Sequence, residues 1–490
     1  MSMNVLKNPK LMVFLVCFAM VATSWSAMFN FEQNTEDNVV PELEQEPPRM
    51  NTNVGTVISF NTTWTAANSP YYLNSPVTVQ QGVRLTINPG VQVYANTTNS
   101  SIIVHGEIHS LGTSANPVFI GVNPSVSWTY NSGYWAGIRG QNPSQGNDPL
   151  LLQNTTISGP SGYWYTPGQS STGHTNLFQF RYFFRTNGNA IVDNTTFKNG
   201  NQIEVEADAY SYNQNGYKIE NLKFDNISRV YFNSVHQWYN TCYGEWWDDV
   251  QFYRSGVYLR DPNFMSSDTS SGYCNQNHRP IYDGWLFNQS DVEAYTTTYW
   301  NTPTASSPTW WRATFIDTAI NLRSSSSFPG YLELRDSNIS ATGTPSATAW
   351  PYSQYASQRG TAFITAGSSS YGKWTVANNT FAPTNGWTGI DYTYSVGHMK
   401  APYNWWGTNN ITAIDGLIED MLDNNGGGWV NYSPFWTSAA MNQLDWNGTS
   451  PANIPLDRAL SGSLFFSKTM TLNNSPYYLV GPWTITPGVR

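Results

Sequence analysis

The chain has 490 residues and a formal net charge of −9, with 11% charged and 15% aromatic residues. So little Glu and Lys argues against a mainly helical protein, and 21 Trp, 30 Tyr and 23 Phe argue against a disordered one. The acidic balance, with no basic stripe, argues against nucleic acid as a partner.

At the N-terminus, Lys7 and Lys10 precede an apolar run from Leu11 to Ala22, and Ser24 and Ser26 flank Trp25. Basic region, apolar stretch and small-x-small site predict a signal peptide over residues 1–26, cut after Ser24 or Ser26. Extended to Phe29, the same stretch approaches the length of an uncleaved membrane anchor. Either reading exports the rest of the chain, and the membrane is met only if this segment is retained. Cys17 belongs to the apolar run. Residues 27–56 follow as an acidic linker: Glu32, Glu36, Asp37, Glu42, Glu44 and Glu46 stand against Arg49, with Pro41, Pro47 and Pro48.

From there Asn, Thr, Ser, Gly and Tyr dominate, as suits short strands joined by tight turns. A six-residue pattern recurs: LQNTTI (152–157), VDNTTF (192–197), IENLKF (219–224), WDDVQF (247–252), YDGWLF (282–287), LRDSNI (334–339) and VANNTF (376–381). Its third residue is Asn154, Asn194, Asn221, Asp249, Gly284, Asp336 or Asn378, the three types that tolerate a left-handed backbone. A one-residue left-handed corner between two strands turns a coil without a loop. Phe197, Phe224 and Phe252 are 27 and 28 residues apart, the length of one solenoid coil. Stacked corner amides are expected to bond to one another along the axis. A β-sandwich with Asn-rich turns is the competing fold, and it explains one repeated asymmetric pattern less well.

Near the end of the repeats, Ile414, Leu417, Ile418, Met421 and Leu422 have helical spacing. Thr412 with Asp415 predicts the start of a short helix and Asn424-Asn425-Gly426 its stop. Such a helix would cover the open end of the solenoid, with Trp405 and Trp406 in its core. Residues 57–440 therefore read as the β-helix domain and 441–455 as a linker. NSPYYLNSPVTVQQGVR (68–84) then aligns without gaps to NSPYYLVGPWTITPGVR (474–490), matching at 11 of 17 positions. Residues 456–490 read as the start of a second β-helix, and the sequence as a piece of a longer tandem protein.

Three stretches carry a family resemblance. They are TWTAANSPYYLNSPVTVQQGVRLTINPGVQVYA (63–95), IIVHGEIHSLGTSANPVFIG (102–121) with WAGI (135–138), and NWWGT (404–408) with VNYSPFW (430–436). They resemble the opening, following and closing coils of the right-handed parallel β-helix (pectin-lyase-like) superfamily, and in particular its large secreted surface proteins. The resemblance brackets residues 57–437. It implies an all-β right-handed parallel β-helix solenoid with a short capping helix, and it is specific to architecture, not to activity.

Lyases and hydrolases of that fold use carboxylates, with calcium and a basic residue or in pairs. The corresponding candidates are Glu245, Asp248 and Asp249, near His236 and Arg254, and a looser group of Asp283, Asp291 and Glu293. No zinc spacing, phosphate loop or nucleotide motif occurs, so no cofactor is expected; calcium is the ion such acids could hold. Cys242 and Cys274, exported, either pair as a disulfide or stay separate thiols. Thirteen Asn-x-Ser/Thr sequons occur: Asn61, Asn96, Asn99, Asn154, Asn194, Asn226, Asn288, Asn338, Asn378, Asn410, Asn431, Asn447 and Asn473. Some fit a glycosylated protein, and some are turn positions. Aromatic-rich stretches at 127–135, 161–168, 236–247, 295–300 and 309–315 read as insertions that interrupt the coils and either stack on sugars or pack onto the solenoid.

The expected function is adhesion or structural display at the cell surface or in secreted form, with a polysaccharide or surface glycan as partner. The alternative is a polysaccharide lyase or glycoside hydrolase using the 236–293 region.

Overall fold

The structure is a computed structural model. It describes residues 51–126, 135–140, 149–159, 176–179, 190–206, 218–233, 246–260, 281–296, 309–324, 331–345, 361–366, 373–393, 398–420, 423, 428–445, 459–464 and 478–485. All of them belong to one compact unit, Arg49–Arg490.

The chain winds as a parallel β-helix. Each coil crosses three faces in turn. One coil runs through Gln251–Tyr253 on the first face, Gly256–Arg260 on the second and Ile281–Asp283 on the third. The next repeats the course at Leu286–Asn288, Asp291–Thr296 and Thr309–Trp311. Consecutive coils pair in parallel: Phe252 with Phe287, Val257 with Val292, Tyr282 with Trp310. The first coil begins at Thr52–Asn53, which pairs with Tyr71 and Tyr72, inside the segment expected to be linker.

The corners explain why these residues coil. All seven residues at the third position of the repeat have positive φ, from 43° at Asn154 to 71° at Gly284. Arg312 (φ 54°) and Tyr403 (φ 60°) occupy the same corner in two further coils. TWWRATF (309–315) is therefore not an insertion. It is a regular coil, with strands Thr309–Trp311 and Thr314–Ile316 on either side of Arg312. A second left-handed corner joins the first and second faces at Asn199, Asn226, Arg254, Gln289 and Asp317.

Stacking coils brings equivalent side chains together inside and out. Phe197, Phe224, Phe252, Phe287 and Phe315 are fully buried in one column. Their ring centroids are 5.5, 5.1, 4.9 and 4.8 Å apart, and the last two rings are within 2° of parallel. Corner amides form the expected ladders. Asn123 Nδ2 donates to Asn96 Oδ1 (2.7 Å), Asn96 to Asn74 (2.8 Å) and Asn74 to Asn53 (3.1 Å). Farther along, Asn226 donates to Asn199 (2.9 Å), Asn221 to Asp193 (3.1 Å) and Asn194 to Asn154.

The closing motif ends the stack. Trp406 is buried and lies on Phe381, 4.6 Å between centroids. Asn404 donates to Val376 O and Ala401 O (both 2.7 Å) and accepts from Asn379 N (2.8 Å). Phe435–Trp436 covers the last first-face strand through Trp436 N to Asn404 O (3.0 Å), then pairs antiparallel with Leu444–Asp445. That reversal stops parallel addition of strands.

The capping helix is shorter and earlier than its periodicity predicts. It spans Ile411–Asp415, and Asn410, not Thr412, caps it by accepting from Ala413 N at 3.2 Å. Gly416 ends it, and Ile418 joins a strand paired with Ile390. Pairing at the sheet edge outweighs the helical spacing of Leu417 and Ile418. Met421, Leu422 and Asn424-Asn425-Gly426 lie outside the described residues.

The second copy of the opening motif reproduces the register of the first. Ala459 pairs with Tyr478, as Asn53 pairs with Tyr72; Ser463 and Leu464 pair with Thr484 and Ile485, as Val57 and Ile58 pair with Thr78 and Val79. Residues 459–464 and 478–485 thus repeat the strand pairing that opens the first coils.

Phe252 touches ring neighbours on both sides, so Phe252→Ala should cost about 3–5 kcal/mol, read as a lower urea midpoint. At the corner, Asn221→Val forces a β-branched residue to φ 54° and should be less stable than Asn221→Gly by about 1–2 kcal/mol, measured the same way.

Candidate functional site

The second face carries the widest mix of chemistry among the described residues. Along its strands Val230, Val257, Leu259, Val292, Ala294, Ile320 and Leu322 point inward and are buried. The alternating positions Arg229, Tyr231, Tyr258, Asp291, Glu293 and Asn321 are partly exposed, as period-two strands require.

Parallel pairing arranges these outward residues in columns. Tyr231, Tyr258, Glu293 and Asn321 follow one another on successive coils. The two tyrosine rings stack, 5.0 Å apart and inclined by 29°. In the adjoining column Gln202 precedes Arg229, and Gly256 pairs with Asp291. The Val230–Val257 pairing sets Arg229 opposite Gly256, which has no side chain. Arg229 and Asp291 thus flank a gap two coils wide, about 10 Å. Asp291 and Glu293 lie on one side of a single strand, about 6.6 Å apart along it. The face offers an apolar aromatic strip, carboxylates, an amide and a guanidinium within a few coils.

The strands of this face also carry the longest connections of the central coils. Residues 207–217, 234–245, 261–280 and 297–308 each join a second-face strand to a third-face strand. They hold AYSY (209–212), HQWYNTCYGE (236–245) and TTYW (297–300).

The sequence candidates divide between faces. Asp248 ends a third-face strand and Asp283 ends the equivalent strand one coil later. Asp249 forms the adjacent corner and is exposed. A Cβ on Gly284 would lie 3.7 Å from Asp249 Oδ1, so this carboxylate is directed along the axis toward the next corner. Asp291 and Glu293 belong to the second face, so the looser group is split. Arg254 stands at the far corner of the first face and pairs with Asp225 at 2.5 Å, away from Asp248 and Asp249. Glu245, His236, Cys242 and Cys274 lie outside the described residues. The strand ends from which the two cysteine-bearing segments depart, Asn233 and Arg260, are paired.

Sequence reasoning missed Asp193 and Glu220, which precede Asp248 in its column. The signal was present, because the second position of the repeat reads Asp193, Glu220, Asp248 and Asp283 in four successive copies. It missed the Tyr231–Tyr258 column as well, since neither tyrosine stands in an aromatic-rich stretch. Among the described residues no three His, Cys, Asp or Glu side chains converge as metal ligands.

Of the aromatic stretches, Trp135 is buried and donates its indole N–H to Ser158 O at 3.0 Å, which is a packing role. Trp247 pairs with buried Ile219, and Tyr295 continues the strand Asp291–Thr296. Residues 161–168 lie outside the described residues.

No family model, no curated protein and no solved structure matches this chain.

One titration stands apart from this face. Asp415, at the end of the capping helix, is exposed, but the neighbouring chain partly desolvates it and raises its pKa above the ordinary 3.8, and the nearby Asp423 adds to the rise. The ionised form is thus less favourable in the folded chain than in the unfolded one. The stability tied to protonated Asp415 is full below pH 3.8 and is lost as pH rises through the raised value. Asp415→Asn should therefore be more stable than the parent at neutral pH, with the difference closing below pH 3.8, as thermal melts across that range will show.

Proposed function

We propose that this is an exported β-helix protein, akin to the surface proteins of the pectin-lyase-like superfamily, that binds an extracellular polysaccharide across its second face. The role is adhesion or structural display at the cell surface or outside the cell. The leading segment at residues 1–26 supports export. The observation that carries the binding reading is the partly exposed column Tyr231–Tyr258–Glu293–Asn321, beside Arg229 and Asp291. Tyrosines present an apolar body and a hydroxyl, and carboxylates and amides bond to sugar hydroxyls. A rigid face with one such position per coil suits a polymer better than a small molecule, which favours a closed pocket.

A second reading rests on Asp291 and Glu293 sharing one side of a strand, with Arg229 nearby. Two carboxylates on one face are the minimum equipment of a glycosidase. In that case the chain is a hydrolase or lyase, and Asp248 on the third face and Asp249 at the corner beside it are not part of the site.

One experiment addresses both. The full chain is passed over a panel of immobilised neutral and acidic polysaccharides, and the supernatants are assayed for reducing ends and unsaturated products. Retention on at least one polymer, weakened roughly tenfold by Tyr258→Ala, is expected; that is about 1.4 kcal/mol. Retention unchanged in Tyr258→Ala would remove the second face as the binding surface. Product formation abolished by Glu293→Gln would establish the enzyme reading in place of the binding one.

A further inference from the structure

The thirteen sequons look alike in the sequence, but the fold separates them. Five stand on the ladders, and each commits its amide nitrogen. Asn96 Nδ2 donates to Asn74 Oδ1 (2.8 Å), Asn154 Nδ2 to Gly112 O (3.2 Å) and Asn226 Nδ2 to Asn199 Oδ1 (2.9 Å). Asn194 donates to Asn154 Oδ1 and Asn378 to Asp336 Oδ1. Of the other described sequons Asn61, Asn99, Asn338 and Asn410 are exposed, Asn288 is partly exposed and Asn431 is buried. Asn194 is exposed as well, so what sets the ladder sequons apart is the committed Nδ2 and not burial. Asn61 uses its Oδ1 to accept from Arg84 N (2.9 Å), and Asn410 uses its Oδ1 to accept from Ala413 N (3.2 Å). The described hydrogen bonds include no side-chain bond of Asn99 or Asn338.

We infer that Asn61, Asn99, Asn338 and Asn410 are the acceptor sites for N-linked oligosaccharide on the described part of the fold, and that the five ladder sequons are closed to it. This goes beyond the binding reading and does not depend on it.

The chemistry makes the distinction. In N-glycosylation the asparagine Nδ2 bonds to the anomeric carbon of an oligosaccharide carried on a lipid pyrophosphate. The bond from that carbon to the phosphate oxygen breaks, the lipid pyrophosphate leaves with the electron pair, and Nδ2 gives up one proton. The product amide keeps a single N–H and carries a bulky sugar on the same nitrogen. At a ladder position that nitrogen points at the preceding coil, about 4.8 Å away, where no sugar fits. At Asn61 and Asn410 the structural bond runs through Oδ1, so coupling at Nδ2 leaves it intact. The ladder sequons owe their existence to the coil itself. At Asn154, Asn194 and Asn378 the corner wants Asn for its backbone angle, and the residue two places on, Thr156, Thr196 or Thr380, is a partly exposed strand position that readily takes Thr. A sugar added to a ladder asparagine before the coils close would prevent them from stacking.

The test routes the full chain, behind an added secretion leader, through a glycosylating eukaryotic host. The secreted folded protein is digested, enzymatically deglycosylated with conversion of each occupied Asn to Asp, and mapped by mass spectrometry. Conversion at Asn61, Asn99, Asn338 and Asn410, with none at the five ladder positions, is the expected result. Conversion at any ladder position in folded material, or at none of the four exposed ones, overturns the proposal. If the host retains the parent chain, the variant Thr98→Val, Thr156→Val, Thr196→Val, Ser228→Ala, Thr380→Val keeps every ladder asparagine and erases its sequon. Secretion of that variant, carrying glycan at the four exposed sites, supports the proposal, and its continued retention overturns it.

Discussion

Parallel pairing at a spacing of about 4.8 Å is the constraint from which the rest of this structure follows. It sets each residue directly on its equivalent in the next coil, so a choice made once is tested again at every coil. A phenylalanine on a phenylalanine is favourable, and the column from Phe197 to Phe315 closes up to 4.8 Å, the strand spacing itself. An amide on an amide satisfies donor and acceptor together, which is how Asn53, Asn74, Asn96 and Asn123 become a ladder. Because each coil touches only its neighbours, stability accumulates along the axis rather than around one centre.

The same constraint fixes the corners. Registered strands on three faces leave one residue to turn the chain, and that residue must adopt positive φ. Asn, Asp and Gly do so at little cost, whereas another L-residue pays about 1–2 kcal/mol. Arg254, Gln289, Arg312 and Tyr403 nevertheless stand at such corners. Arg254 is held by its ion pair to Asp225, and Tyr403 by a 2.5 Å bond from its N–H to Pro434 O, just before the closing strand Phe435–Trp436. Neighbouring coils enforce the angle where the residue itself does not prefer it.

This explains what could be read from the sequence. The corner pattern gave coil length, inward positions and fold class because corner geometry selects residue type at a fixed place, and all seven corners read that way have positive φ. Arg312 and Tyr403 escaped because neighbouring coils, not their own preference, hold them there. The helix at 411–415 was placed too late because helical spacing over 414–422 competes with pairing of Ile418 to Ile390, and a sequence shows spacing but not an adjacent sheet edge. The candidate site was less legible still. Glu245, Asp248 and Asp249 are neighbours along the chain, but the solenoid groups residues across the chain. Tyr231 and Tyr258 are 27 residues apart and in contact, while Asp283 and Asp291, eight apart, belong to different faces.

Where an outward residue can take part in recognition follows from the corners too. Between residues 190 and 324, the turns into and out of the first face are one or two residues long, and these leave no room for a variable segment. The turn from the second face to the third carries no such restriction, and every long connection of these coils is found there. In these coils the turn from the second face to the third is the seam at which length and composition change without disturbing register; in others, as between Ser340 and Ala362, the turn from the first face to the second is the long one. The strands leading into that seam carry Arg229, Tyr231, Tyr258, Asp291, Glu293 and Asn321, and the segments leaving them are rich in Tyr and Trp. Residues at the fixed corners are committed to backbone angle and ladder bonds. Among the described residues, the outward positions of the second face are where this fold leaves side chains partly exposed to meet something other than the next coil.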